Sequence, residues 1–266
     1  MSDFDLRFGG VRRVYGAAAV ERLRGAHVMV VGLGGVGSWS VEALARSGIG
    51  ALTLVDLDDV CLSNVNRQLP ALDGTIGRPK AEVIAERVRA IYPGCQVTPV
   101  LEFLTADTVE RLLAPPVGGP PWSGVLDAID RVVNKCVLIH GCRERGIPVV
   151  SCGAAGGRRD ASRIRIEDLA RVTHDRLLGG VRKRLRQEHG FPREDRRMGV
   201  ECVFSPEEPV FPQEDGTVCD TPAVDGDPGV RRLNCNSGMG SSVFVTGTFG
   251  LVAAGRLVDR ILAANP

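Results

Sequence analysis

The sequence predicts an α/β fold: a doubly wound, mainly parallel Rossmann-like sheet with a C-terminal extension of strands, helices and a long loop. Two observations support this prediction. Apolar stretches with strand spacing alternate with helical stretches over residues 27–152, as a parallel sheet with right-handed crossovers requires. A glycine-rich turn, GLGGVG, follows the first of these strands, as in nucleotide-binding βαβ units. We expect residues 1–153 to form a nucleotide-binding core with an N-terminal helix, and residues 154–266 to be the C-terminal part of the same domain.

The elements of the core follow from apolar spacing and from helix signals. In the N-terminal helix, Tyr15, Val20 and Leu23 share one face. Pro79 begins a helix, because its missing N–H costs nothing in the first turn. In chain order, the predicted elements are a helix over 8–24, a strand over 27–31, a helix after Gly37, a strand over 51–55, a helix over 79–91, a strand over 96–101, a helix over 105–113, a strand over 125–130, a helix over 132–145 and a strand over 147–152.

The C-terminal part has a different pattern. Residues 162–169 (SRIRIEDL) alternate as a half-exposed strand does, and residues 173–189 have the pattern of an amphipathic, basic helix. Residues 205–232 are rich in proline, glycine and acidic residues. This composition predicts a long irregular segment of the kind that forms lids and binding loops. A closing helix is expected over 240–262.

Composition and charge exclude several classes of protein. The net charge of +1 and the pI of about 7.6 give the whole chain no drive towards nucleic acid or membranes. The N-terminal residues lack the features of a secretory signal, which predicts a cytoplasmic protein. The apolar run over 243–255 is too short to span a bilayer, so we expect a buried helix, and a peripheral membrane contact stays open. The eight cysteines contain no CxxC pair, so we expect no zinc site.

The glycine turn and the strand after it predict a nucleotide site. Gly32, Gly34 and Gly37 have the G-x-G-x-x-G spacing, and Gly35 lies in the same turn. In this motif the glycines permit a tight turn, the approach of backbone to phosphate, and close packing of helix on strand. Asp56 ends the next strand, where a carboxylate can hold the ribose hydroxyls. These residues alone would suit a nicotinamide-dependent dehydrogenase.

The residues that follow suit a nucleoside triphosphate better. Asp58 comes just past the ribose position, followed by Asn64, Arg67 and then Lys80 at the start of a helix. A triphosphate needs cationic groups that neutralise its charge and hold it in line with an attacking group. Arg67 offers a planar fork for phosphate oxygens, and Lys80 adds its charge to the positive end of a helix dipole.

A carboxylate at the end of a later strand predicts a magnesium site. Asp127 and Asp130 lie in VLDAID, at the edge where open α/β sheets bind their ligands. A carboxylate there can hold Mg²⁺ that bridges phosphates. Asp130 is the preferred ligand, because Asp127 could instead stay within the strand.

As an ordered set, these motifs resemble the ubiquitin-activating enzyme superfamily, whose bacterial members adenylate carboxylates. The resemblance implies that Arg67, Lys80 and Asp130 are the catalytic residues, that Asp130 binds Mg²⁺, and that Asp56 binds the ribose of ATP. The branches that activate sulfur-carrier proteins usually have paired CxxC zinc ligands, which this sequence lacks. The matching motifs are GLGGVG, LVDLDDV, SNVNRQ, GRPK and LDAID.

Further motifs resemble the branch of the superfamily that dehydrates threonylcarbamoyladenosine in tRNA. They are RFGGVRRVYG, DAIDRVVNK, CGAAGG, ECVFSPE and FGLVAAG. This resemblance implies a tRNA substrate, a homodimer, and a sulfur-relay protein as a further partner. It also implies that an N-terminal arginine reaches the ATP of the partner subunit, with Arg13 or Arg7 as the candidate.

Three questions stay open from the sequence. An enzyme that adenylates a ubiquitin-like sulfur carrier and a nicotinamide-dependent dehydrogenase are the alternative functions. Cys235 could form a thioester, although a structural thiol is the preferred interpretation. The basic segment 176–197 is expected to contact tRNA phosphates, in particular through Arg182, Lys183, Arg184 and Arg186.

Overall fold

The computed structural model describes residues 2–116, 118–193, 196–213, 215–220 and 239–264. The helices are α1 (Asp3–Tyr15), α2 (Ala17–Gly25), α3 (Gly37–Arg46), α4 (Lys80–Ile91), α5 (Val109–Leu112), α6 (Val132–Glu144), α7 (Arg176–Glu188) and α8 (Val243–Ala263). The strands are β1 (His27–Val31), β2 (Ala51–Val55), β3 (Gln96–Val100), β4 (Trp122–Asp127), β5 (Val149–Cys152), β6 (Arg165–Asp168), β7 (Glu201–Phe204), β8 (Phe211–Pro212) and β9 (Val218–Cys219).

Seven of the strands form one sheet in the order β3-β2-β1-β4-β5-β7-β6. Every neighbouring pair is parallel except β6 and β7. The chain crosses over from β3 to β4 on the far side of β1, which places the switch in strand order between β1 and β4. This is the position at which doubly wound sheets bind ligands, and it confirms the predicted fold class.

Successive residues of β1 point to opposite faces of the sheet and enter different cores. Val28 and Val30 join a core with α3, α4 and α8, whereas Met29 and Val31 join a core with α5 and α6. Burial on both faces explains why this strand is a continuous apolar run rather than an alternating one. Within the described residues, no helix is long and apolar enough to cross a membrane.

The N-terminal segment differs from the single predicted helix over 8–24. It begins at Asp3 and is divided into α1 and α2 by Gly16, whose φ of +88° interrupts the helix. The predicted apolar face is therefore wrong for Tyr15, which is 44% exposed, and right for Val20 and Leu23, which are buried. Because the break changes the direction of the chain, residues of α1 and residues of α2 do not share one helix face.

Other boundaries shift for local reasons. The predicted helix over 105–113 is reduced to α5. Thr108 precedes α5, and its side-chain oxygen accepts the backbone N–H of Thr105 at 2.9 Å. The predicted strand over 125–130 begins earlier and ends at Asp127. Part of the predicted irregular segment forms a short hairpin, β8 with β9, that turns at Gly216 with φ of +82°. The rest of that segment, from 221 to 232, lies outside the described residues.

Candidate nucleotide site

The glycine turn after β1 has its shape fixed by direct contact with backbone. A Cβ on Gly32 would lie 2.8 Å from the carbonyl oxygen of Ala128, and Gly32 has φ of +86°. A Cβ on Gly37 would lie 1.8 Å from the carbonyl oxygen of Gly32. A Cβ on Gly34 would have Nε2 of Gln68 as its nearest neighbour, 3.8 Å away. Two glycines are therefore required by the fold, whereas the space beside Gly34 is open, as close approach of a ligand requires.

Asp56 joins the glycine turn to the end of β2. One carboxylate oxygen accepts the backbone N–H of Leu33 at 2.6 Å, and the other accepts that of Asp58 at 2.9 Å. Burial raises the pKa of the Asp56 carboxyl, and the charge of Lys80 and the two backbone N–H groups oppose this. The carboxylate thus holds the turn in place and lies where the sequence predicts the ribose contact.

Lys80 and Asp58 form an ion pair beside Asp56. The Lys80 ammonium lies 2.9 Å from Asp58, and the lysine residue is 6% exposed at the first position of α4. The side chain of Asp58 is 54% exposed. Because an ammonium has three donors, Lys80 can bind Asp58 and still donate to phosphate oxygens. Asp58 acts here as the partner of the lysine.

Arg67 lies on the other side of the glycine turn, in the segment between β2 and α4. Its Nη1 donates to the carbonyl of Ser63 at 2.8 Å and to the side-chain oxygen of Asn66 at 2.9 Å. Trp39 Nε1 donates to the Arg67 carbonyl at 3.0 Å. A Cβ on Gly35 would lie 3.3 Å from Arg67 Cγ. These contacts fix the arginine against the turn that is expected to hold the phosphates.

Asn64 supports the same segment from within. It is buried, and its side-chain oxygen accepts the backbone N–H of Cys61 at 3.0 Å, which caps a short 3-10 turn. Its predicted contact with the nucleotide stays a prediction.

The two carboxylates after β4 occupy different environments. Asp130 is exposed in the turn between β4 and α6. Asp127 is fully buried, and its carboxylate lies 2.8 Å from the Lys135 ammonium. Of the two alternatives for Asp127, the one in which it faces the crevice is wrong: it stays within the protein at the end of β4, where the buried lysine neutralises its charge. Asp130 is the carboxylate that stays accessible.

These residues meet at one edge of the sheet because β2, β1 and β4 are neighbouring parallel strands. The turns after them are bonded to one another: Gly32 donates to the carbonyl of Val55, and Ala128 donates to that of Val31. Three further residues near this edge have no role predicted from the sequence: Lys135 and Ser151, which bond to Asp127, and Asn66, which bonds to Arg67. The only signal for them was that Lys135 and Asn66 lie within the motifs DAIDRVVNK and SNVNRQ.

The chain matches the ThiF family over residues 10–263, which includes all of these strand ends and most of the C-terminal part. It belongs to the ThiF family.

Relatives within the family match over almost the whole chain. The sequence is 47% identical to the tRNA threonylcarbamoyladenosine dehydratase of Escherichia coli, covering 97% of this chain and 94% of that protein. It is 42% identical to the dehydratase of Haemophilus influenzae, covering 98% and 95%. A crystal structure of the Escherichia coli tRNA N6-threonylcarbamoyladenosine dehydratase in complex with ATP superposes with a TM-score of 0.84 at 42% identity, covering 98% of this chain and 96% of that one.

Most of the cysteines among the described residues are buried. Burial raises the pKa of the thiols of Cys95, Cys142 and Cys152 to about 12 and that of Cys136 to about 11. Such thiols are poor nucleophiles and metal ligands. In the part of the chain that the structure describes, no group of three or more His, Cys, Asp or Glu side chains could hold a metal ion. Cys235 lies outside that part.

The two candidate N-terminal arginines differ in their contacts. Arg7 pairs with Asp3 at 2.7 Å and donates to the carbonyl of Ile91 at 3.1 Å. Arg13 is exposed on α1, and among the described residues it has no hydrogen bond or ion pair.

Proposed function

We propose that this protein is an ATP-dependent tRNA threonylcarbamoyladenosine dehydratase that closes the threonylcarbamoyl side chain into a hydantoin-like ring. The observation that carries the proposal is the similarity to tRNA threonylcarbamoyladenosine dehydratases over 97% and 98% of the chain, because the molybdopterin-synthase adenylyltransferase of Salmonella typhimurium matches only 51% of it. The glycine turn, Asp56, Arg67, Lys80 and Asp130 supply the groups that an ATP-dependent adenylation needs.

Each residue has a defined task towards ATP. The backbone N–H groups of the glycine turn and the start of α3 face the phosphates, and Asp56 accepts hydrogen bonds from the ribose hydroxyls. Arg67 and Lys80 neutralise charge that develops on the phosphates as the bond to the α-phosphate forms. Both cations are anchored before ATP binds, so little reorganisation is needed.

The accessible carboxylate of Asp130 fits Mg²⁺. Magnesium sites of nucleotide enzymes commonly use one or two carboxylates, with phosphate and water oxygens as the other ligands. Asp130 is exposed at the correct edge of the sheet, whereas Asp127 is bound by Lys135 and cannot be a second ligand. When bound, Mg²⁺ would neutralise phosphate charge and favour the departure of pyrophosphate.

The reaction has two steps. The threonine carboxylate of the modified adenosine attacks the α-phosphate of ATP, which forms an acyl-adenylate and releases pyrophosphate. A urea nitrogen of the same side chain then attacks the activated carbonyl, loses its proton and expels AMP. Because the second attack is intramolecular, its high effective molarity makes a covalent enzyme intermediate unnecessary. The protein needs to hold the carboxylate in line and to exclude water.

We propose a homodimer in which Arg13 reaches the nucleotide of the partner subunit. Arg7 is occupied by contacts within its own chain, whereas Arg13 is exposed and unpaired among the described residues. Leu6 and Val14 are also exposed on α1, at 67% and 76%, and an exposed apolar helix face supports contact with another subunit. A sulfur-relay partner and a cytoplasmic location stay predictions.

We propose that tRNA phosphates bind a basic groove beside α7. The groove has a volume of about 390 Å³, and none of the described residues that line it is acidic. Lys183 is exposed, so that its charge is available to a polyanion. Arg182 instead donates to the carbonyls of Leu169 and Val172, and Arg184 pairs with Glu188. The residues that line the groove are Gly179, Arg182, Lys183, Arg186, Gln187 and Arg193.

A pyrophosphate-release assay tests the proposed function. The purified protein receives ATP and Mg²⁺ with one of three additions: tRNA that carries threonylcarbamoyladenosine, a ubiquitin-like sulfur-carrier protein, or buffer. We expect release only with the modified tRNA. Release with the carrier protein alone would support the carrier-activating alternative. If NAD stabilises the protein thermally as well as Mg²⁺ and ATP do, the dehydrogenase interpretation gains support instead.

A further inference from the structure

Three buried polar side chains lie directly beneath the turn that carries Asp130. They are Lys135 in α6, Asp127 at the end of β4 and Ser151 in β5, each 0% exposed. Lys135 Nζ donates to Asp127 Oδ2 at 2.8 Å and to Ser151 Oγ at 3.2 Å, and Ser151 Oγ donates to the same carboxylate oxygen at 2.6 Å. The lysine also lies 3.4 Å from the backbone carbonyl of Asp127. We call these three residues the Lys135 network.

Stability gives little reason for such a network. Moving two charges out of water costs several kcal/mol for each ion, and apolar side chains of similar volume often serve as well or better in a core. The network is nevertheless fully satisfied, because the ammonium has three acceptors around it and both carboxylate oxygens accept hydrogen bonds. A lysine suits this geometry, since its three donors point in different directions, unlike the planar fork of arginine.

The network fixes the turn between β4 and α6. Asp127 Oδ1 accepts the backbone N–H of Ile129 at 3.1 Å, so the carboxylate that Lys135 holds also shapes the turn. The carbonyl of Ala128 lies against the glycine turn, where a Cβ on Gly32 would approach it to 2.8 Å. The same turn therefore touches the phosphate-binding glycines on one side and carries Asp130 at its end.

We propose that Lys135 and Ser151 are positioning residues of the nucleotide site. Acting through Asp127, they set the position of the Asp130 carboxylate relative to the glycine turn, and hence the place where Mg²⁺ meets the phosphates. This inference rests on the proposed role of Asp130 and adds to it. It also explains why an aspartate at the end of a ligand-binding strand is turned inwards.

The test replaces the whole network by apolar side chains, in the triple variant Asp127→Leu, Lys135→Met and Ser151→Ala. Removing all three leaves no uncompensated buried charge, so the variant is expected to melt close to the wild type. The kcat for the modified tRNA should fall about 10- to 100-fold, as for other residues that orient metal-binding side chains. The Mg²⁺ concentration that gives half-maximal rate should rise, whereas the KM for tRNA should stay unchanged.

Amide hydrogen exchange gives a second readout that does not depend on activity. Peptides that contain residues 128–131 should exchange faster in the ATP-free triple variant, with other peptides unchanged. Leu138→Ala is the matched control, because Leu138 lies in the same helix, is equally buried and belongs to the apolar core. This control should lower the melting temperature and leave kcat and the Mg²⁺ requirement as in the wild type.

A stable triple variant with normal kcat and a normal Mg²⁺ requirement would show that the network is only structural and would overturn the proposal. If the triple variant does not fold, the single variant Ser151→Ala tests the proposal, because it keeps the ion pair between Lys135 and Asp127. Faster exchange at 128–131 and a raised Mg²⁺ requirement support the proposal, and the absence of both refutes it. If the proposed function is wrong, the wild type releases no pyrophosphate with modified tRNA, which distinguishes that failure from failure of this proposal. Mg²⁺-dependent ATP binding and amide exchange then still test the Lys135 network.

Discussion

The site at the carboxyl ends of β2, β1 and β4 and the surface around α7 are built differently. At the β2-β1-β4 end, polar side chains are buried or anchored to backbone, as Asp56 and Lys80 are. At the C-terminal end, around α7, cationic side chains lie at the surface and Lys183 faces solvent. The first end suits chemistry that requires atoms at fixed positions, and the second suits attraction of a polyanion, which tolerates mobile side chains. Changes at the two ends should therefore affect different steps.

The largest effects are expected at the β2-β1-β4 end, which we call the anchored end. Arg67→Ala and Lys80→Ala should each lower the rate of pyrophosphate release about 10²- to 10³-fold, as for groups that stabilise charge in the transition state. ATP affinity should fall much less, because these groups act most strongly as the reaction proceeds. Single-turnover rates and equilibrium ATP binding separate the two effects. Arg89→Ala, in α4 with a single hydrogen bond to the carbonyl of Val97, is the control and should behave as the wild type.

Arg13 tests whether the anchored end needs a second subunit. Arg13→Ala and Arg67→Ala should each be nearly inactive alone. Mixing them should restore about one quarter of the wild-type activity, because half of the random dimers are mixed and each has one intact site. No recovery after subunit exchange, checked by mass measurement of the mixed dimer, would place Arg13 outside the partner's site.

Asp56 gives a smaller effect at the same end. Asp56→Ala should weaken ATP binding by about 1.5–3 kcal/mol through the loss of charged hydrogen bonds to the ribose. The same change removes the bonds to Leu33 and Asp58. For this reason, 2′-deoxy-ATP serves as a probe: the wild type should prefer ATP, and the variant should bind both equally. A preference for ATP that survives the substitution would contradict the ribose assignment.

We call the C-terminal end, around α7, the surface end. Substitutions there should change the affinity for tRNA and leave the chemical step unchanged. Lys183→Glu with Arg193→Glu should raise the KM for tRNA and reduce the slope of log affinity against log salt by roughly 1–2, because fewer counterions are released. Activity on a minimal modified nucleoside should not change. Arg111→Glu is a control charge reversal away from the groove, and it should leave the salt slope intact. A slope that does not differ between the two variants would leave α7 without a role in binding tRNA.

The smallest effect concerns how α7 is held against α6. The rings of His140 and His189 lie 4.5 Å apart, and burial together with His140 lowers the pKa of His189 below its usual value. Just below pH 6.5, His189 therefore binds a proton more readily in the unfolded chain than in the folded one. The free energy of unfolding falls as the pH is lowered through this range. His189→Gln should reduce the fall in melting temperature between pH 7.5 and 5.5. An unchanged fall would show that this pair does not contribute.

Much of the anchored end could be predicted, because its geometry is coded locally. The glycine spacing and Asp56 belong to a βαβ unit in which strand, turn and helix are adjacent in sequence. The choice between the two alternatives for Asp127 could not be made from the sequence, because its inward position depends on Ser151, 24 residues away in a neighbouring strand. The choice between Arg7 and Arg13 likewise depends on the carbonyl of Ile91, 84 residues away from Arg7.

At the surface end the type of element is predictable from the sequence, but its contacts are not. The basic helix predicted over 173–189 is found as Arg176–Glu188, with Asp175 capping its start. That Arg182 binds the carbonyls of Leu169 and Val172 could not be read from a charge pattern, since the pattern does not show which cations have local acceptors. The division of these charges between structure and binding is therefore a property of the folded chain.

The proposed function requires that the threonine carboxylate of the tRNA is activated as an adenylate. Modified tRNA with ¹⁸O in that carboxylate, incubated with the protein, ATP and Mg²⁺, tests it directly by mass spectrometry of the released AMP. If the carboxylate attacks the α-phosphate and ring closure then expels AMP, one ¹⁸O atom must appear in the AMP phosphate. Release of unlabelled AMP, or release of ADP and phosphate, alongside ring closure would contradict the account.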